Sequence, residues 1–101
     1  MSGRPPLKAE MPCTPGVAGS FNFTTGLSDP EDAPPRGLHF ICPCGCGAHG
    51  AVQFRANAYD QSHPSWEWDG NRESPTLSPS IQRTTDCRWH GWLRDGFWVS
   101  A

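Results

Sequence analysis

From residue 37 onward, apolar and polar positions alternate with a period close to two. Leu38, His39, Phe40 and Ile41 form a short apolar run that enters a cysteine cluster. Residues 51–55 then turn Val52 and Phe54 inward and Gln53 and Arg55 outward. Trp66-Glu67-Trp68 alternates again and stops at Asp69-Gly70, a turn dipeptide. Residues 75–81 carry Pro75 and Pro79, which suits an edge strand or an extended segment with Leu77 and Ile81 pinned inward. Residues 91–94 and 97–100 flank Asp95-Gly96, the strongest hairpin signal in the chain. A two-residue turn there pairs Arg94 with Phe97, Leu93 with Trp98 and Trp92 with Val99. His90, Trp92, Phe97 and Val99 then share one face of the ribbon, and Trp89, Leu93 and Trp98 the other. Apart from one turn between Arg55 and Gln61, no helix is signalled. The pattern predicts an all-β domain over residues 37–101, a small antiparallel sheet with a C-terminal hairpin.

Residues 1–36 break this pattern. They hold seven of the eleven prolines and no sustained periodicity, and they read as a flexible or draped N-terminal arm. Phe21 and Phe23 fall on one side of any extended segment and could lay the arm against the domain.

Composition narrows the function classes. The 101 residues carry a net charge of −2 and only 36% hydrophobic residues. Arg72, Arg83, Arg88 and Arg94 lie near aromatics, as a single-stranded nucleic-acid platform requires. Glu67, Asp69, Glu73, Asp86 and Asp95 interleave with them, so no basic stripe forms and nucleic acid is not expected as a partner. No apolar run approaches the ~18 residues of a membrane helix. The first residues lack an apolar signal core, so the expected location is the cytosol rather than outside the cell.

Five cysteines in a reducing compartment point to metal before disulfides. Cys42-Pro-Cys44-Gly-Cys46-Gly has the composition of a ligand-bearing knuckle, and Cys87-x-x-His90 supplies a second pair. Structural zinc usually draws its four ligands from two such loops. Cys42, Cys44, Cys46, Cys87 and His90 are therefore candidates for four positions, with Cys87 and His90 the firmest and His49 an outside candidate. Cys13 stands alone in the arm. His39 and His63 are assigned local hydrogen bonds. A Rieske cluster needs Cys-x-His, whereas this chain has Cys46-x-x-His49, and its gap to Cys87 is too long. In a domain of this size, where a lone apolar core is marginal, a structural zinc contributing an apparent ~10–16 kcal/mol decides folding.

Three ordered motifs, Phe40-x-Cys-Pro-Cys-Gly-Cys-Gly47, Trp66-x-Trp-Asp-Gly-Asn-Arg-Glu-Ser-Pro-Thr-Leu-Ser-Pro-Ser-Ile81 and Cys87-x-Trp-His-Gly-Trp-Leu-x-Asp-Gly96, resemble an uncharacterised family of small phage and prophage proteins. Some of its members are labelled ammonia monooxygenase, a label that nothing in these residues supports. The resemblance runs from Leu38 to Val99. It implies a phage or prophage origin, makes Cys42, Cys46, Cys87 and His90 metal ligands, and brings no established activity.

Three functional readings follow. The first is a non-enzymatic, zinc-stapled β module that binds a host, defence or virion protein. Its contact residues would be Trp89, Trp92, Phe97 and Trp98, because five tryptophans are hard to bury in 65 residues. The second is a small zinc hydrolase with Glu67, Asp69 or Glu73 as base. It lacks any HExxH or nucleophile-elbow motif, and a thiolate-rich site is a poor Lewis acid. The third is the nucleic-acid module already weighed. The serines of residues 74–80 are read as satisfying backbone groups in turns. The expected function is therefore binding without catalysis.

Overall fold

Period-two alternation becomes strand wherever one face can be buried. The computed structural model describes residues 5–58, 61–83 and 87–101. Its strands are β1 (Leu7–Lys8), β2 (Phe21–Thr24), β3 (Gly37–Ile41), β4 (His49–Gln53), β5 (Glu67–Trp68), β6 (Leu77–Ser78), β7 (Ile81–Gln82), β8 (His90–Arg94) and β9 (Phe97–Ser100). They pair antiparallel into a four-stranded sheet of order β1-β9-β8-β7, a three-stranded sheet β2-β3-β4 and a two-stranded ribbon β5-β6. Between β4 and β5 lies a single 3-10 turn at Arg55–Asn57. It covers the start of the turn expected there; Tyr59 and Asp60 lie outside the described residues. The fold is all-β, as the alternation predicts. Among the described residues no helix is long and apolar enough to cross a membrane.

The C-terminal hairpin has the register read from its turn: Arg94 opposite Phe97, Leu93 opposite Trp98, Trp92 opposite Val99. Asp95 (φ 49) and Gly96 (φ 78) both adopt the left-handed region, which a type I′ turn demands and which glycine meets without steric penalty. One face of the ribbon is buried through Leu93 and Trp98. The other leaves Phe97 41% exposed and Trp92 half-buried beneath the Arg94 guanidinium, 4.6 Å from the ring centroid.

Residues 5–36 are woven into both sheets. β1 extends the hairpin sheet, β2 pairs along all of β3, and Phe21 and Ala9 join the core. Phe21 and Phe23 do lie against the domain, in edge-to-face contact with each other, and Phe23 also meets Phe54. Gly26 and Asp29 form a turn closed by Arg36, whose Nε donates to Asp29 Oδ2 at 2.9 Å. That guanidinium holds the Asp29 carboxyl below its ordinary range.

Trp98 joins the two larger sheets. It is 1% exposed and packs on Phe40 of β3 at 4.8 Å and on Trp89 at 5.9 Å. Its indole Nε1 donates to Gly19 O at 2.9 Å, 79 positions earlier in the chain. Trp98→Ala should destabilise the protein by about 3–5 kcal/mol, since it opens a cavity and leaves that carbonyl without its donor. Chemical denaturation checks this: a loss under about 1 kcal/mol would place the junction between the sheets elsewhere.

Candidate metal centre and active site

β3 delivers Cys42 into the core, where the chain must reverse to form β4. The reversal is closed by Cys42 N–H donating to Ala48 O (2.8 Å) and Gly45 N–H to Cys42 O (3.2 Å). Gly45 (φ 93) and Gly47 (φ 85) supply the left-handed steps of this knuckle. The Cys46 amide then donates to Cys44 Sγ at 3.3 Å. From the other sheet, Cys87 arrives just ahead of β8. Its Sγ lies 3.2 Å from Cys42 Sγ, and Cys44 Sγ lies 3.3 Å from Cys42 Sγ.

All four sulfurs, of Cys42, Cys44, Cys46 and Cys87, fall within 4.8 Å of one another. A tetrahedral ion with metal–sulfur bonds of about 2.3 Å spaces its ligands by roughly 3.8 Å, inside that range. The donor set therefore fits a four-thiolate metal ion. Burial pushes the Cys42 thiol well up and raises Cys44 as well. Hydrogen bonding from Cys44 is the main cause that brings Cys87 down to about 7. Such splitting is what crowded thiols do when one becomes thiolate and its neighbours donate to it.

His90, read from the sequence as one of the firmest ligands, is not in this group. Its Nε2 instead lies 3.0 Å from Ser80 Oγ. Strand register explains the encounter. Gln82 sits directly opposite His90, and Ser80, two residues before Gln82, falls on the same face as a diagonal neighbour. Both side chains are half-buried, so the pair is accessible to solvent. Ser80 is anchored by its carbonyl, which accepts from Trp66 Nε1 at 3.1 Å. His90 is anchored by its carbonyl, which accepts from Ala101 N–H at 2.9 Å, and its ring leans on Trp92. Among the described residues no carboxylate hydrogen-bonds the His90 ring.

The remaining candidates are dispersed. His49 is exposed on β4, and Cys13 stands apart from the thiol group. His63 makes a local contact with Ser62. Of the aromatics expected at a binding surface, Trp89 (6% exposed) and Trp98 are core residues, whereas Trp92 and Phe97 occupy the open face. The indoles of Trp89 and Trp98 are buried because they fill the junction between the sheets, the volume a small domain lacks. Leu77 and Ile81 are pinned inward as the sequence implies, but the Ser80 hydroxyl is aimed at an imidazole rather than at a turn. No local motif announces this. The available signal was the pairing of residues 81–82 with 90–91, from which the Ser80–His90 diagonal follows.

Fold and site together define a small all-β protein with a four-cysteine centre beside a solvent-accessible serine–histidine pair. The sequence model of the family described as "Bacterial ubiquitination-like system serine protease (BubE)" matches residues 14–101, and the chain belongs to that family. No curated protein and no solved structure matches it. The family assignment overturns the expectation of a binding module without catalysis, because the family is named for a protease. That expectation rested on missing local motifs, and a serine–histidine pair assembled across strands leaves none.

Proposed function

We propose that the protein is a serine protease of a bacterial ubiquitination-like system, with Ser80 as nucleophile, His90 as general base and a structural zinc on Cys42, Cys44, Cys46 and Cys87. The observation that carries this reading is the 3.0 Å contact between Ser80 Oγ and His90 Nε2, within the reach a base needs to take a hydroxyl proton. The family description supplies the reaction class. Ser80 Oγ attacks the scissile carbonyl while Nε2 takes its proton. The C–N bond breaks, and the proton passes to the departing amine. Water, deprotonated by the same imidazole, then releases the acyl group as a carboxylic acid and restores the hydroxyl. Zinc, when bound, supplies rigidity: four thiolates close its coordination sphere and leave no position for a catalytic water. The ion would tie the loop after β3 to the segment that carries His90.

An alkyl fluorophosphonate tests the pair without knowledge of the substrate. Ser80 Oγ bonds to phosphorus, fluoride leaves, and the protein gains the mass of the phosphonyl group. Labelling is expected at Ser80 in the unmodified protein and should be lost in Ser80→Ala and His90→Ala. Labelling of another residue, or equal labelling of both variants, would remove the basis of this reading.

A further inference from the structure

We infer that the substrate is bound as an extended strand laid along the free edge of β4, with its main chain pairing to Ala51. This inference rests on the serine–histidine reading and names the form in which substrate reaches it.

The edge can be worked out from the ladder. Phe54 N–H donates to Arg36 O, and Cys42 N–H donates to Ala48 O. With Leu38 opposite Val52 and Phe40 opposite Gly50, these bonds fix which β4 residues face β3: the even-numbered ones. The N–H and C=O of His49 and Ala51 therefore project off the sheet, where β4 is the terminal strand. Further along, the edge is already occupied: Trp66 N–H donates to Gln53 O, and Arg55 N–H to Trp66 O. Trp66 thus caps one end of a stretch, centred on Ala51, that is open among the described residues.

Facing this stretch is a second terminal strand. Arg83 N–H donates to Trp89 O, so β7 turns residues 81 and 83 toward β8 and the main chain of Gln82 away from it. A cleft of about 280 Å³ lies between the two edges, with Ala51 and Gly50 on one wall and Ile81 and Gln82 on the other. It adjoins an apolar hollow of about 490 Å³ that includes Leu38, Val52, Pro64 and Trp66. Trp66 lines both and holds the Ser80 carbonyl through its indole, so cleft, hollow and the main chain of the nucleophilic residue meet at one side chain.

The chemistry selects the occupant. Outward N–H and C=O groups at a spacing of two residues match another extended backbone, and an adjoining apolar hollow accepts one of its alternate side chains. An unpaired edge is also a liability that proteins normally block. Ala51 itself carries no charge or bulk to block it, and the charge in the cleft is that of Arg83, whose guanidinium lies against Gly50. The bound segment must be extended and locally unfolded, such as a chain terminus or a loose loop, because a helix offers no free main-chain groups to the edge.

The test compares two reagents for the same serine. One is the alkyl fluorophosphonate, and the other an acetyl-tetrapeptidyl diphenyl phosphonate of extended, apolar sequence. In the unmodified protein the peptide chain should raise the labelling advantage over its own truncated, single-residue analogue by about tenfold or more. Ala51→Pro removes the outward N–H while sparing the ladder to β3 and should abolish that advantage. Ala51→Val, which keeps the N–H, should retain it, and alkyl labelling should be similar in all three. Where Ala51→Pro does not fold, N-methylation scanned along the peptide reagent replaces it: one position must lose the advantage on the unmodified protein. An advantage indifferent to both Ala51→Pro and N-methylation, or no peptide advantage, overturns strand docking and leaves the protease reading intact. Failure of both reagents to label Ser80 overturns the two together.

Discussion

Removing the metal with a strong chelator should abolish the ordered β spectrum and the cooperative melt. No single substitution outside the thiol group should match this effect. Structural zinc sites contribute an apparent ~10–16 kcal/mol, whereas whole domains are stable by only about 5–15 kcal/mol. The site's location concentrates that energy. Cys42 follows β3 in one sheet and Cys87 precedes β8 in the other, so the ion would crosslink two sheets that also meet through the Phe40–Trp98 contact and the Glu10–Ser20 bridge. Cys42→Ser and Cys87→Ser should therefore each reproduce chelation, while Cys13→Ser, outside the thiol group, should leave the melt unchanged. Elemental assay should find about one zinc per chain. Binding should weaken as pH falls, because protons compete for sulfur and the metal-free Cys42 and Cys44 thiols are raised by burial. A melt indifferent to chelation, or protein purified without metal and still folded, would refute the structural zinc.

Ser80→Ala and His90→Ala should each lower kcat for peptide hydrolysis by about 10³–10⁶-fold, and the double variant should lose no more than the worse of the two. Residues acting on one proton transfer are not additive, since either loss leaves the other without a task. Stability is expected to move little for Ser80→Ala. The hydroxyl is half-buried, its only described partner is the imidazole, and the Trp66 bond goes to the main chain. His90→Gln keeps a planar polar group against Trp92 and separates packing from catalysis. Additive losses, or kcat unchanged with only KM raised, would move His90 from base to substrate contact.

The proposed zinc ligand Cys87 and the proposed general base His90 are separated by only two residues. Cys87 and His90 flank Arg88, held at φ 55, and Trp89, whose indole Nε1 donates to Ser100 Oγ at 2.9 Å. A ligand at one end of so short a segment restrains the ring at the other. Loss of metal is accordingly expected to silence Ser80 labelling.

Much of this architecture is legible in the order of residues. The Asp95-Gly96 turn dictates its hairpin register, because only one pairing closes a two-residue turn. Val52 and Phe54 announce their inward face, and the cysteine knuckle announces a ligand cluster. The proline-rich first third reads as an arm because its strands are short and lack period. Its pairing with β3 and β9 depends on partners distant in sequence.

By itself the chain determined its elements: period-two alternation, turn dipeptides and thiol spacing are local, and local sterics enforce them. The choice of proposed ligands and of proposed nucleophile was tertiary. Cys46 rather than His90 completes the thiol group because β7 pairs with β8 in a register that presents the imidazole to Ser80. The bond between Ser80 and His90, ten residues apart, follows from the β7–β8 register within one sheet. The thiol group follows from how two sheets settle around Trp98 and Phe40. That packing maximises apolar burial over the whole molecule, a quantity no window of sequence contains.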